Sequence, residues 1–261
     1  MMLDLEDLAS ADLTVDGRMA SASNATLHCT YVDAAGSVRE CIYKPVAGER
    51  PLWDFPTGTL AHREIAMFAL SSALGWDLVP PTVWREDGPA GPGMCQSWVA
   101  DADDNAVVDV VPRGQIPQGW RHILDAQDHG GADVSLVHAD SPSLRRMAVL
   151  DAVGNNADRK GGHILMDPQQ RVWAIDHGVT FSPEPKLRTV LWGWSDEPID
   201  DSIVGDVEAL HTLLAVDFDP IDMWLEPDER WMLRSRVDDL LATKRFPLAQ
   251  DEWPSIPWPV F

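Results

Sequence analysis

Alternation of apolar and polar residues dominates the first part of the chain and predicts an antiparallel sheet. Every second side chain is apolar in residues 26–32, and residues 37–45 alternate again until a proline ends the run. The DAAG turn at residues 33–36 joins the two runs with residue types that hairpins favour. With residues 13–15 as a first strand, the pattern predicts a three-stranded meander.

A helical repeat and two further strands follow the meander. Residues 59–76 carry apolar side chains at helical spacing and reach a natural C-terminal stop at Gly75. Residues 79–85 and 93–99 flank a turn rich in glycine and proline, which predicts one strand on either side. The first hundred residues therefore predict about five strands and one helix.

In the second part of the chain the pattern changes to one that predicts mostly helices. Apolar residues recur at intervals of three in residues 143–153, and residues 206–216 and 227–244 are also predicted to be helical. Between the first two of these helices, residues 163–167 and 171–176 predict two short strands joined by a turn.

These elements predict an α+β protein with two lobes around a cleft. A β-rich N-lobe spans residues 1–100 in this interpretation, a mostly helical C-lobe spans residues 101–261, and a hinge lies near residues 99–106. The tail from residue 247 is rich in proline and tryptophan, so we expect it to be extended and packed on the surface. A cleft between two lobes is a common place for a ligand.

Composition then excludes several classes of partner. The 261 residues are 45% apolar, which suits a globular core, and carry a net charge of −22. No Lys/Arg cluster supplies the basic footprint of a nucleic-acid binder, and no apolar run approaches the roughly 20 residues of a membrane span. Three scattered cysteines without a CxxC pair and an acidic N-terminus without a signal-peptide pattern predict a cytoplasmic protein.

Four charged residues fall in an order that suits phosphoryl transfer from ATP. Lys44 ends the third predicted strand, Glu64 lies in the next helix, Asp158 lies in a loop after a later helix, and Asp176 ends a short strand. Such a transfer needs a cation for the α- and β-phosphates and a carboxylate that holds this cation. It also needs a loop Asp for the acceptor hydroxyl and oxygen ligands for Mg²⁺.

Two loop motifs resemble those of the phosphatidylinositol 3-/4-kinase-like branch of the protein-kinase-like fold. The type II phosphatidylinositol 4-kinases carry N-x-D-R-x-x-x-N in the catalytic loop, and residues 156–163 read NADRKGGH. The lipid kinases then carry I-D-F-G, where residues 175–178 read IDHG. The chain most closely resembles a poorly characterised bacterial family within that branch, and the resemblance spans roughly residues 13–180.

The resemblance implies a role for each of the four charged residues. The catalytic Asp of the family falls on Asp158, and its metal-binding Asp falls on Asp176. The phosphate-binding lysine of the third strand falls on Lys44, and its partner on the helix falls on Glu64. ATP and Mg²⁺ are the cofactors that this set of residues implies.

The chain departs from the family pattern at two places. The second metal ligand is usually Asn, whereas this chain has His163; imidazole suits softer metals, so His163 either binds a metal such as Mn²⁺ or donates to a phosphate. The phosphate loop at residues 19–24 lacks G-x-G-x-x-G. Its Ser21 and Ser23 are instead expected to offer hydroxyl and backbone N–H groups to the nucleotide.

Other basic residues near the motifs have less defined roles. Lys160 either neutralises the γ-phosphate or is merely exposed, and the sequence leaves both interpretations open. Arg159 is expected to order the loop rather than to contact substrate. Lys186 and Arg188 follow Asp176 where an activation loop would lie, and they are the nearest predicted positive charge for an anionic acceptor.

The predicted activity is that of an ATP-dependent phosphotransferase, which passes the γ-phosphate to the hydroxyl of an unknown protein or small molecule. Two alternatives keep the same fold. One is a nucleotidyl transferase that moves AMP, and the other is a pseudokinase that binds nucleotide without turnover. The presence of both Asp158 and Asp176 favours chemistry over binding alone.

Overall fold

The computed structural model describes five stretches of the chain, with short gaps between them. They are residues 5–19, 24–56, 58–102, 106–249 and 255–261. Within these stretches no helix has both the length and the apolar character needed to cross a membrane.

Five antiparallel strands form the N-terminal sheet, in the order β1-β2-β3-β5-β4. The strands are β1 (Thr14–Arg18), β2 (Leu27–Val32), β3 (Val38–Pro45), β4 (Thr82–Gly88) and β5 (Gly91–Ser97). The meander and both later strands are therefore confirmed. One face of this sheet buries Cys29, Tyr31, Cys41 and Tyr43, which are the alternate positions that the pattern predicts.

Two helices accompany the N-terminal sheet. The predicted helix is present as α2 (Leu60–Ala73), which ends beside Gly75 at a positive φ of 68°. The other helix, α1 (Leu5–Ser10), was not predicted. It has six residues and buries only Leu8, so its sequence carries too little periodicity to indicate a helix.

A second sheet corrects the prediction that the chain is mostly helical after residue 101. Its three antiparallel strands are β6 (Val108–Pro112), β7 (Trp120–Gln127) and β8 (Asp133–Ala139), in the order β6-β8-β7. The strand β7 lies at the edge of the sheet and buries none of its residues completely. Without a buried face it lacks the apolar alternation that would have predicted it.

The remaining elements match the prediction more closely. The helices are α3 (Pro142–Gly154), α4 (Asp201–Leu214), α5 (Asp219–Asp222) and α6 (Pro227–Thr243), and the strands β9 (Ile164–Met166) and β10 (Val172–Ala174) form an antiparallel hairpin. The predicted apolar stripe of α3 is completely buried in the main core. The result is an α+β fold with a sheet-rich N-terminal region, whereas the division of the chain at residue 100 stays a prediction.

A buried histidine joins the second sheet to the helical part. The His138 ring lies 4.3 Å from the Trp194 ring, with its Nδ1 2.9 Å from the Ala139 carbonyl. The Gly193 N–H donates to His138 Nε2 at 3.1 Å. This arrangement requires a neutral imidazole, and burial lowers the pKa of His138 to about 4.

We therefore expect the stability of the protein to fall as the pH decreases from about 6.5 to about 4. In that window the unfolded chain protonates His138 and the folded chain does not, so lower pH favours unfolding. Arg121 and Arg145 both donate hydrogen bonds to the nearby Asp140 carboxylate. They outweigh the burial of Asp140 and hold the pKa of its carboxyl at about 2, below the window.

Urea unfolding of the wild type and of His138→Gln at several pH values measures this contribution. The glutamine amide can donate and accept without titrating, so the variant should lose less stability than the wild type between pH 6.5 and 4. Equal losses in the two proteins would assign the pH dependence to other groups.

Candidate functional site

The loop after α3 is built around one buried arginine. Arg159 is completely buried, and its guanidinium donates to the Asp151 carboxylate at 2.9–3.1 Å. The same group donates to the backbone carbonyls of His163 (3.2 Å) and Ile175 (3.0 Å), and to His177 Nε2 (2.7 Å). Arg159 therefore orders the loop, as its predicted role requires, and joins both ends of the β9–β10 hairpin to α3.

Two asparagines shape the turn between α3 and Asp158. Asn155 adopts a left-handed backbone with φ of 50° and caps the helix. Its side-chain amide donates to the carbonyls of Ser182 and Glu184, at 2.9 and 2.7 Å. Asn156 Oδ1 accepts a hydrogen bond from the Asp158 N–H at 3.0 Å, which sets the direction of the predicted catalytic residue.

Lys44 contacts its predicted partner Glu64 and also the predicted metal-binding residue Asp176. Its Nζ lies 2.6 Å from Glu64 Oε1 and 2.9 Å from Asp176 Oδ1. Glu64 is almost completely buried, and its other oxygen accepts a hydrogen bond from the His177 N–H at 2.9 Å. The strand β3, the helix α2 and the loop after β10 thus converge on one ammonium group.

The charges of this triad stabilise one another. Burial opposes the charged form of Lys44, but the carboxylates of Asp176 and Glu64 outweigh it and raise the pKa of Lys44. The Lys44 ammonium holds the pKa of Asp176 far below its usual range, although burial opposes this shift. Burial raises the pKa of Glu64, with Lys44 acting in the opposite direction.

His163 faces the predicted metal-binding carboxylate. Its Nε2 lies 3.4 Å from Asp176 Oδ2, and its Nδ1 lies 2.9 Å from the Asp158 carbonyl. Since a carbonyl only accepts hydrogen bonds, Nδ1 carries the proton and Nε2 presents its lone pair toward Asp176. Burial lowers the pKa of His163, which favours this neutral form.

Asp176 and His163 together present two donor atoms that suit one divalent cation. Asp176 has a left-handed φ of 60° and keeps 51% of its side chain exposed. In the part of the chain that the structure describes, no group of three or more His, Cys, Asp or Glu side chains is placed to hold a metal. Kinase sites bind divalent ions through one or two carboxylates plus substrate phosphates. Asp176 offers such a carboxylate, and the imidazole of His163 suits a softer ion such as Mn²⁺.

Lys160 lies beside the predicted catalytic carboxylate. Its Nζ is 3.2 Å from Asp158 Oδ2, and both side chains are partly exposed. This contact places Lys160 at the site and does not distinguish between the two interpretations that the sequence left open. Ser21 and Ser23, the predicted phosphate-loop residues, lie outside the described residues.

One of the two cations predicted after Asp176 is not available to an acceptor. Lys186 is 2% exposed and lies 2.9 Å from Asp54 Oδ2, so its charge is neutralised inside the fold, which corrects the expectation that it attracts an anionic acceptor. Arg188 is partly buried and donates to the Ala157 carbonyl at 2.6 Å, next to the candidate catalytic residue. For Arg188 the role toward an acceptor stays a prediction.

Sequence reasoning missed two residues that hold the site together. His177 is completely buried between Arg159 and Glu64, and burial holds its pKa well below the usual value. The sequence feature that could have indicated His177 is a polar residue at the position of the phenylalanine in I-D-F-G.

Arg63 is the second missed residue. It is buried, donates to the Thr180 carbonyl at 2.9 Å and pairs with Glu229 of α6. Nothing in its sequence context distinguishes it from a surface arginine.

We expect His177→Phe to destabilise the protein by about 1–3 kcal/mol, because it leaves a buried Arg159 N–H without its acceptor. His177→Gln retains an acceptor and should therefore lose less stability than His177→Phe. Urea denaturation measures both, with His129→Phe at an exposed position as the control for the side-chain change. Equal stability of His177→Phe and wild type would contradict the role assigned to His177.

The likeness to solved structures supports a kinase-like fold. The structure of hydra Fam20 with sugar superposes with a TM-score of 0.51 at 15% identity, over 92% of this chain and 86% of that chain. The fold of Fam20 is protein-kinase-like. At this identity the likeness concerns the fold alone, and the comparisons do not support the phosphatidylinositol 3-/4-kinase branch.

Sequence comparison identifies a relative over almost the whole chain. No protein-family model matches this sequence. Protein Rv2133c of Mycobacterium tuberculosis is 47% identical over 264 residues, which cover 97% of this chain and 94% of that protein. Identity of this extent means that this chain belongs to the same family as protein Rv2133c.

Proposed function

We propose that this protein is an ATP-dependent phosphotransferase that transfers the γ-phosphate to a hydroxyl of a protein or a small molecule. The observation that carries the proposal is the position of Lys44 between Glu64 and Asp176, 2.6 and 2.9 Å from their oxygens. Glu64 and Asp176 lie 20 and 132 residues away from Lys44 in sequence, so only the fold brings the three together.

In the proposed reaction Lys44 binds the α- and β-phosphates of ATP while Glu64 holds the ammonium in place. Asp158 orients the acceptor hydroxyl and accepts its proton. The hydroxyl oxygen bonds to the γ-phosphorus, and the bond from that phosphorus to the bridging oxygen breaks. ADP then leaves with the electron pair, so the atoms and charges balance.

Asp176 and His163 are the residues that would hold a divalent ion in this proposal, and the ion would neutralise charge on the phosphates. Lys160, 3.2 Å from Asp158, is placed to neutralise the transferred phosphoryl group. The net charge of −22 repels a polyanion, so these local cations are needed for ATP to approach. Placement in the lipid-kinase branch rests on the two loop motifs alone.

Incubation with ATP labelled at the γ- or the α-phosphate, a divalent metal and cell extract tests the activity. We expect transfer from the γ-label and its loss, by at least about a hundredfold, in Lys44→Met and Asp158→Asn, because positioning and charge stabilisation dominate this chemistry. Trp231→Ala, at an exposed position on α6, is the matched control. Transfer from the α-label would support AMP transfer instead.

A thermal-shift measurement separates the binding proposal from the catalytic one. Stabilisation by metal and ATP without transfer of either label would indicate a pseudokinase. The absence of any shift with nucleotide and metal would contradict all three functions.

We expect the wild type to prefer Mn²⁺ over Mg²⁺, because an imidazole nitrogen is a poor ligand for Mg²⁺. His163→Asn restores an oxygen ligand and should shift the preference toward Mg²⁺ by about tenfold. The concentration of each metal that gives half-maximal thermal stabilisation with ATP measures this shift. An unchanged ratio between the two metals would exclude His163 from the metal site.

A further inference from the structure

The last seven residues of the chain, 255–261, lie against the candidate catalytic loop, and we name this segment the strap. At its beginning, the Ser255 carbonyl accepts hydrogen bonds from the Thr189 N–H (3.0 Å) and from Trp192 Nε1 (2.8 Å). Thr189 itself lies in a short parallel bridge with Arg159. The strap is thus hydrogen-bonded to the same segment, at Thr189, that pairs with the candidate catalytic loop at Arg159.

The far end of the strap contacts the catalytic loop directly. The Gly161 N–H donates to the Val260 carbonyl at 2.7 Å. The Phe261 ring lies on Gly161 so closely that an added Cβ would lie 2.7 Å from Phe261 Cδ1 and closer still to Cε1. Gly161 does not have the left-handed backbone that requires glycine, so the constraint on a side chain there comes from the ring, which would have to move to admit one.

Gly161 begins the turn that connects two of the proposed site residues. The single 3-10 turn Gly161–His163 follows Lys160, and the His163 N–H donates back to the Lys160 carbonyl at 3.2 Å. A shift of Gly161 therefore moves Lys160 relative to Asp158 and His163 relative to the metal-binding carboxylate. The strap therefore contacts the loop at Gly161, the residue whose position sets the directions of the Lys160 and His163 side chains.

The strap is anchored well enough to act as a fixed support. Pro257 is buried, and Ile256 and Val260 pack against the main core. Phe261 keeps 52% of its surface exposed, while one edge of its ring lies on Gly161.

We infer that Phe261 is a positioning residue, which holds the turn Gly161–His163 in the place where Lys160 and His163 meet the nucleotide. The inference rests on the proposed function for its catalytic consequence. The contact between the ring and the turn can be tested without any activity.

A double-mutant cycle with hydrogen exchange tests the contact. Phe261→Ala removes the ring, and Gly161→Ala displaces it, so each variant should raise the exchange rate of the amide at position 161 by about tenfold. In the double variant the methyl group added at position 161 occupies the space that the ring has left. Gly161→Ala should therefore have little further effect when residue 261 is alanine.

Turnover under the same substitutions tests the positioning role. We expect Phe261→Ala to lower kcat by about tenfold with a smaller change in the KM for ATP, since Lys44 and Glu64, which bind the α- and β-phosphates, are untouched. Phe261→Tyr keeps the ring and should retain the wild-type kcat. A loss through general destabilisation would instead lower Tm in proportion and would not be restored by tyrosine.

Trp258→Phe is the control within the strap, because Trp258 is 79% exposed. It should change neither exchange nor kcat. Additive effects of the two alanine substitutions, or wild-type exchange in both single variants, would overturn the inference. If the wild type fails to bind or turn over ATP, the proposed function fails, and the exchange cycle still decides whether Phe261 holds the turn.

Discussion

The buried guanidinium of Arg159 is the interaction on which the rest of the site depends. A charged group without exposed surface needs both an opposite charge and hydrogen-bond partners, because desolvation otherwise exceeds the Coulombic gain. Asp151 supplies the charge, and two backbone carbonyls and His177 supply the remaining acceptors. These partners come from α3, from both ends of the β9–β10 hairpin and from His177, the residue after Asp176. Hydrogen bonds to one side chain therefore fix all of these segments relative to one another.

The N-terminal sheet is connected to this arrangement through adjacent residues of α2. Glu64 accepts from the His177 N–H and holds Lys44, while Arg63 donates to the Thr180 carbonyl and pairs with Glu229 of α6. The helix that carries the lysine partner is thus attached to the loop after Asp176 at two points. This double attachment holds Glu64, and with it the Lys44 ammonium, beside Asp176.

The site uses its histidines as neutral groups. His163 and His177 are both largely buried, and burial lowers the pKa of each. The neutral ring of His177 accepts from Arg159, and that of His163 presents a lone pair beside Asp176. A protonated His177 would face the Arg159 guanidinium and lose its role as acceptor, so its hydrogen bond and its burial select the same neutral form. At His163 burial acts against the neighbouring Asp176 carboxylate and lowers the pKa.

The sequence by itself determined the elements that have a buried face and the order of the charged residues along the chain. Alternation predicted the meander and helical spacing predicted α3, because burial of one face leaves a period in the sequence. Asp158 and Asp176 were indicated separately, by the resemblance of two loop motifs to those of a known family. Only the tertiary structure decided which polar groups are buried. Lys186 and Arg63 look like surface cations in the sequence, yet both are enclosed by partners more than 100 residues away. The edge strand β7 and the contact of Phe261 with Gly161 likewise depend on residues that are distant in sequence, and neither produces a local hydrophobic period. The period of a segment shows which of its faces is buried, but it does not show which residues pack against that face.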